Sequence, residues 1–145
     1  MVDDKPLVQT AKAPIDVVRR FNSAWVAGEI DRAIAYVADD AVYALHLSDD
    51  LVPTGGETIG RANIEAALRK VRQQFDYLLY RPLGMRADGD AVRFQVEFMY
   101  RHRRSGEILS GRFRMIMRVE NGLIVRTEEY HDRAKVEAFL RLFAQ

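Results

Sequence analysis

The chain has 145 residues, 48% of them apolar and 30% charged, the balance of an ordinary globular protein with room for one core. Twenty-two Lys plus Arg against 21 Asp plus Glu leave a formal charge of +1, so no global field recruits nucleic acid or an anionic membrane surface. With no cysteine, disulfides, thiolate nucleophiles and zinc–thiolate chemistry are excluded. The apolar runs are too short to span a bilayer, and Met1-Val2-Asp3-Asp4-Lys5 has no signal-peptide core, so a cytoplasmic protein is expected.

Residues 1–13 show weak periodicity and are expected as an arm, leaving 14–145 as one domain. The first helix is predicted to open at Pro14, whose missing N–H has no partner at that position anyway. Ile15, Val18, Phe21, Trp25 and Val26 share its apolar face, and Gly28 supplies the left-handed stop. A short helix over 31–37 follows, ended by Asp39-Asp40. The segment 41–47 reads as a strand with Tyr43, Leu45 and Leu47 on one side and His46 on the other. Pro53, Gly55 and Gly56 mark 48–60 as a loop, a candidate lid. Ile64, Leu68, Val71 and Phe75 then fit a helix over 62–75.

Beyond Phe75 the hydrophobic period changes from 3.6 to 2. A strand is predicted over 77–86, with a turn at Asp88-Gly89-Asp90. Val92, Phe94, Val96, Phe98 and Tyr100 alternate with polar residues, as do Phe113, Met115, Met117 and Val119 after a turn at Arg104-Ser105-Gly106. Asn121-Gly122 is a hairpin signal, because both central residues of that turn need positive φ. The last strand, 123–132, sets Val125, Thr127, Glu129 and His131 on one face. Asp132 caps a final helix with Val136, Phe139, Leu140 and Phe143 inward. The expected class is α+β: a curved antiparallel sheet wrapped around helices.

Several local motifs then resemble a known family. Val18-Arg19-Arg20-Phe21 through Ala27-Gly28-Glu29-Ile30-Asp31, and Val37-Ala38-Asp39-Asp40-Ala41-Val42, are similar to the opening of ketosteroid-isomerase-like proteins, within the nuclear-transport-factor-2-like superfamily. Gly60-Arg61-Ala62-Asn63-Ile64 and Gly122-Leu123-Ile124-Val125 followed by Glu129-Tyr130-His131-Asp132 resemble the SnoaL-like branch, which includes polyketide cyclases. The resemblance covers about residues 14–143. It implies a conical, helix-lined cavity and a homodimer, here expected through the outer sheet face where Met99 and Ile116 interrupt the arginines. The positions that carry the Tyr and two Asp of steroid isomerases fall on Phe21, Leu45 and Met115, all apolar, so that chemistry is not expected. The partners of an epoxide-hydrolase acid fall on Val96 and Phe98, so that triad is not expected either.

What the resemblance leaves is the late-strand acid, Glu129, with His131 two residues on and hence on the same face. A carboxyl in an apolar cavity is suited to proton transfer, because its charged form is disfavoured there. The alternative is an ion pair with a rim arginine such as Arg61 or Arg112. An imidazole titrates ordinarily near neutral pH, so His131 is either a proton partner of Glu129 or a wall residue. The candidate lining is Phe21, Trp25, Tyr43, Leu45, Phe94, Phe98, Tyr100, Phe113, Met115, Met117 and Thr127, with Tyr43 and Tyr100 able to donate to a ligand carbonyl.

His46, His102 and His131 have no metal-ligand spacing, so neither metal nor cofactor is expected. The cluster Arg101-His102-Arg103-Arg104 with Arg112, Arg114 and Arg118 lacks a stacking platform for bases. It reads as a sheet face laced by ion pairs to Glu97, Glu107, Glu120 and Glu128. Two functions follow. One is a cofactor-independent isomerase, cyclase or dehydratase acting on a small hydrophobic carbonyl compound. The other is a non-catalytic binding or assembly domain of the same fold.

Overall fold

Pro14 opens the first helix, α1 (Pro14–Val26), in a computed structural model that describes residues 13–52 and 55–143. The arm expected over 1–13 therefore lies, apart from Ala13, outside the described residues, as do Pro53 and Thr54. Glu29 N–H bonds the Ala24 carbonyl at 2.9 Å and Gly28 N–H that of Trp25 at 3.0 Å, with Gly28 at φ +76°. This closure of the helix needs a left-handed residue, which glycine adopts without a Cβ penalty. Val17, Val18, Phe21, Ala24 and Trp25 are buried.

Helix α2 (Ile30–Ile34) is shorter than expected, and strand β1 (Val37–Leu45) starts four residues earlier than the sequence suggests. Asp39 and Asp40 do not end a helix. They occupy the exposed positions of β1, where an Asp side chain costs the strand little burial, and Asp39 meets Arg61 at 2.5 Å. The expected loop contains a strand as well. β2 (Gly56–Ile59) pairs antiparallel with β1, from Val42↔Ile59 to Leu45↔Gly56. Its Gly-rich start concealed it, because glycine is depleted in strands.

Helix α3 (Arg61–Gln74) leads into β3 (Phe75–Asp88), β4 (Ala91–His102), β5 (Ile108–Glu120) and β6 (Leu123–Tyr130); α4 (Arg133–Arg141) follows. The Asp132 side chain caps α4 by accepting from Lys135 N–H at 3.3 Å. Asn121 and Gly122 both have positive φ, +53° and +79°, as a tight twisted hairpin demands. The six strands run in the order β2-β1-β6-β5-β4-β3. The fold is the expected α+β arrangement with one difference, that β1 joins β6 in parallel. The chain between β1 and β6 runs through β2, α3 and three further strands, and a connection of that length permits parallel pairing.

Two bulges decide which residues face inward. Between Arg118↔Arg126 and Val119↔Ile124, strand β6 carries one extra residue, Val125. The inward residue below Thr127 is therefore Ile124, 2% exposed, and not Val125. Leu78 is the extra residue of β3, between Tyr77↔Tyr100 and Leu79↔Met99. It is exposed, and the shift brings Tyr77 and Tyr80 to the same side despite their odd spacing.

The outer face is only partly laced by ion pairs. Arg81 meets Glu97, Arg101 and Arg103 share Asp76, Arg118 meets Asp90, and Arg126 meets Glu57 and Glu128. Of the four expected acids, Glu97 and Glu128 are the ones engaged among the described residues. Asp76, Asp90 and Glu57 of β2 take the other places.

Candidate active site

Between the concave face of the sheet, α1, α3 and α4 lies a cavity of about 140 Å³ with largely apolar walls. Phe21 and Trp25 of α1, Tyr43 and Leu45 of β1, Phe98 and Tyr100 of β4, Met115 and Met117 of β5, and Thr127, Glu129 and His131 all line it. Two expected lining residues do not. Phe94 and Phe113 are 5% and 3% exposed and pack in the closed core, with Phe113 also reaching a notch on the other side. Strand alternation identifies the inward face but not the depth along it at which packing closes. Phe21, Leu45 and Met115 all face this space.

Glu129 supplies the chemistry of the wall. Its Oε1 accepts a hydrogen bond from the Tyr43 hydroxyl at 2.8 Å, and its Oε2 lies 2.5 Å from His131 Nε2. Neither arginine proposed as its partner touches it, since Arg61 is engaged with Asp39 and the Val37 carbonyl. The side chains of Glu129 and His131 are 14% and 6% exposed. The His131 ring is fixed by Phe113, stacked at 4.5 Å, and by the edge of Phe98 at 5.9 Å. Its Nδ1 is buried and has no partner among the described residues. His46 faces away, stacked on Tyr130 at 4.1 Å and 3.2 Å from Glu128.

The geometry follows from parallel register. Tyr43 sits beside Thr127 and Leu45 beside Glu129, so all four share one face, and the Tyr43 ring leans along the strand to reach the carboxylate. The Tyr43 hydroxyl is held far above its ordinary pKa, first by burial, then by the Glu129 charge and the bond it donates there.

Sequence reasoning missed Tyr77 and Tyr80. With Tyr100 they build an aromatic wall opposite the helices, Tyr77 stacking on Tyr100 at 4.1 Å and on Tyr80 at 5.9 Å. Burial raises the hydroxyls of all three, with the Glu129 charge adding to it at Tyr77 and Tyr80 and Tyr77 adding to it at Tyr100. All therefore remain protonated donors at neutral pH. Arg72 lies 4.1 Å over the Tyr77 ring and 4.4 Å over Trp25, and its charge opposes part of the rise at Tyr77 and Tyr80. The available signal was the aromatic pair itself, which shares a face only if the strand is bulged. Leu47, Leu51 and Val52 from the stretch after β1, and Val136 and Leu140 from α4, complete the lining. The Ser48 N–H donates to Glu137 of α4 at 2.8 Å and ties the two together. Among the described residues no three His, Asp or Glu side chains converge as a metal centre requires.

A curved, unclosed sheet around a helix-lined cavity is the architecture of nuclear-transport-factor-2-like and cystatin-like folds. A protein from Xanthomonas campestris described by a cystatin-like fold superposes with a TM-score of 0.77 at 21% identity, over 88% of this chain and 97% of that one. TerC, co-crystallised with polyporic acid, gives 0.75 at 16% identity over 88% and 98%. A Catenulispora acidiphila protein with a ketosteroid-isomerase-like fold, in complex with trimethylamine, gives 0.70 at 15% identity over 83% and 88%. No curated protein matches the sequence. The SnoaL-like domain model matches residues 18–127, and the chain belongs to that family.

Proposed function

We propose that this SnoaL-like protein is a cofactor-independent acid–base catalyst acting on a small hydrophobic carbonyl compound. The observation that carries the reading is Glu129, a carboxylate on the wall of an apolar cavity, bonded to Tyr43 and His131 rather than to an arginine. A carboxylate so placed is not neutralised by a fixed cation and is screened from water, the setting in which proton transfer to carbon is effective. Glu129 takes a proton from the carbon beside the carbonyl, and the C–H electron pair becomes the enolate. A hydroxyl of Tyr77, Tyr80 or Tyr100 donates to the enolate oxygen.

Three outcomes conserve the atoms. The proton returns to a different carbon in an isomerisation. A β-hydroxyl leaves with it as water in a dehydration. Alternatively, the carbanion attacks a second carbonyl of the same molecule in a cyclisation, and Glu129 protonates the new alkoxide. His131 holds or exchanges the proton of Glu129 at Nε2. The volume suits one ring, since an engineered hole of about 150 Å³ admits benzene. TerC, whose fold this chain shares, was crystallised with an organic acid, which supports a small organic ligand here.

One observation favours binding without turnover. Both carboxylate oxygens of Glu129 already have partners, so a ligand must displace or share them. Hydrogen–deuterium exchange of cyclohexanone and 2-cyclohexenone in D2O, followed by proton NMR, separates the two without knowledge of the natural substrate. The catalytic reading requires exchange beside the carbonyl that Glu129→Gln abolishes. Saturable binding of these ketones with no enzyme-dependent exchange, or exchange unchanged in Glu129→Gln, overturns it.

A further inference from the structure

Strand β6 leaves β5 after the pair Arg114↔Tyr130, and the chain turns through His131 and Asp132 into α4. Beyond that point β6 no longer pairs with β5, whose Ser110 carbonyl accepts from Lys135 of α4, and a polar notch of about 270 Å³ lies there, lined by Gln95, Arg112, Arg114, Tyr130 and Asp132 with His131 and Phe113. His131 is the residue this notch shares with the Glu129 cavity.

The charges in the notch are not balanced within the sheet. Glu97, directly opposite Arg112, is engaged by Arg81. Arg114 lies 5.2 Å over the Tyr130 ring, and neither it nor Arg112 has a carboxylate partner among the described residues. The Tyr130 hydroxyl is turned to Glu128, at 2.9 Å, and Asp132 accepts from the α4 backbone. The imidazole of His131 lines the same notch, with Nε2 held by Glu129 and Nδ1 buried without a partner among the described residues. A buried ring nitrogen with no hydrogen bond is costly unless a ligand supplies one.

We propose that this notch binds an oxyanion, a carboxylate or phosphate group, between the guanidinium groups of Arg112 and Arg114, with His131 donating from Nδ1–H. Guanidinium forks match such groups in geometry as well as charge. The site stands whether or not Glu129 is a catalyst, so the two readings fail separately.

The test is NMR of protein labelled with 15N-histidine, titrated with sodium phosphate or sodium acetate at constant ionic strength. Three histidines give three resolvable rings: His46, His102 and His131. Saturable movement of the His131 nitrogens, with a midpoint in the millimolar range, is expected while His46 and His102 stay in place. In the double variant Arg112→Gln, Arg114→Gln the midpoint rises about tenfold or more, whereas Arg20→Gln on α1 leaves it unchanged. Response to acetate alone identifies a carboxylate ligand, and response to phosphate alone a phosphate ligand. No movement of His131 up to about 50 mM, a common drift of all three rings, or an unchanged midpoint in the double variant overturns the proposal.

Discussion

Removing one hydroxyl tests whether the Tyr43–Glu129 contact is a bond to a charge. Tyr43→Phe deletes the donor that lies 2.8 Å from Glu129 Oε1 and leaves the ring in place. The Glu129 side chain is 14% exposed, so water replaces the lost donor poorly. A hydrogen bond to a charged group is worth about 1.5–3 kcal/mol, and one between neutral groups about 0.5–1.5. Tyr43→Phe should therefore cost about 2 kcal/mol in the natural sequence but only about 1 kcal/mol when Glu129 is already Gln. The coupling of about 1 kcal/mol is the part that belongs to the charge. The assay is urea unfolding at pH 7 of the four proteins in the cycle, with slopes checked for constancy so that midpoints convert to stability. A Tyr43→Phe cost that is near zero, or equal in both backgrounds, refutes the charged hydrogen bond and with it the ground for a carboxylate held ready in the cavity.

The tyrosines predict an alkaline limit. Tyr43, Tyr77, Tyr80 and Tyr100 have folded pKa values raised above their unfolded value near 10, so their contribution is fully present below pH 10 and is lost as pH rises beyond it. At pH 11 each should have withdrawn about 1 kcal/mol, and the 295 nm phenolate absorbance of these four should appear only with unfolding. A gradual four-tyrosine titration of the folded protein contradicts this. Asp132→Ala removes the α4 cap and should cost about 1 kcal/mol, seen as a fall of about 2–4 °C in Tm by circular dichroism. A neutral result there means that the backbone of α4 caps itself.

Much of the fold was legible because local rules and packing agree. Pro14 and Gly28 bracket α1 as their backbone preferences require, and Asn121-Gly122 turns the last hairpin. The alternation from Val92 to Tyr100 and from Phe113 to Val119 is the burial pattern observed. Non-local choices were not legible. Nothing in β1 announces that it lies parallel to a strand some eighty residues later. The bulges at Leu78 and Val125 are single insertions set by how the twisted ladders fit, and a period-2 reading cannot see them. The site divides in the same way. Glu129 and His131 were visible as neighbours on one face, whereas Tyr77 and Tyr80 depend on a bulge. Tyr43 was visible as a wall residue, but its contact with Glu129 depends on the parallel register.

The adjacent acids Glu128 and Glu129 show what the register of β6 decides. Glu128 faces outward, where a bond from Tyr130, the nearby His46 and the Arg126 charge hold its carboxyl below the usual carboxylate range. Glu129 faces the cavity and forms no ion pair with an arginine among the described residues. Val125, by bulging, lets Ile124 fill the core beneath Thr127 while preserving this division. Deletion of Val125 removes only the unpaired residue: Arg126 stays opposite Arg118 and Ile124 opposite Val119, so Glu129 and Ile124 both still face inward. The loss is then limited to the Val125 side chain and the local twist, and the deletion should cost no more than about 1–2 kcal/mol in urea unfolding. A loss of about 4 kcal/mol or more would mean that the bulge itself, and not the register of the pairs on either side of it, holds Glu129 toward the cavity.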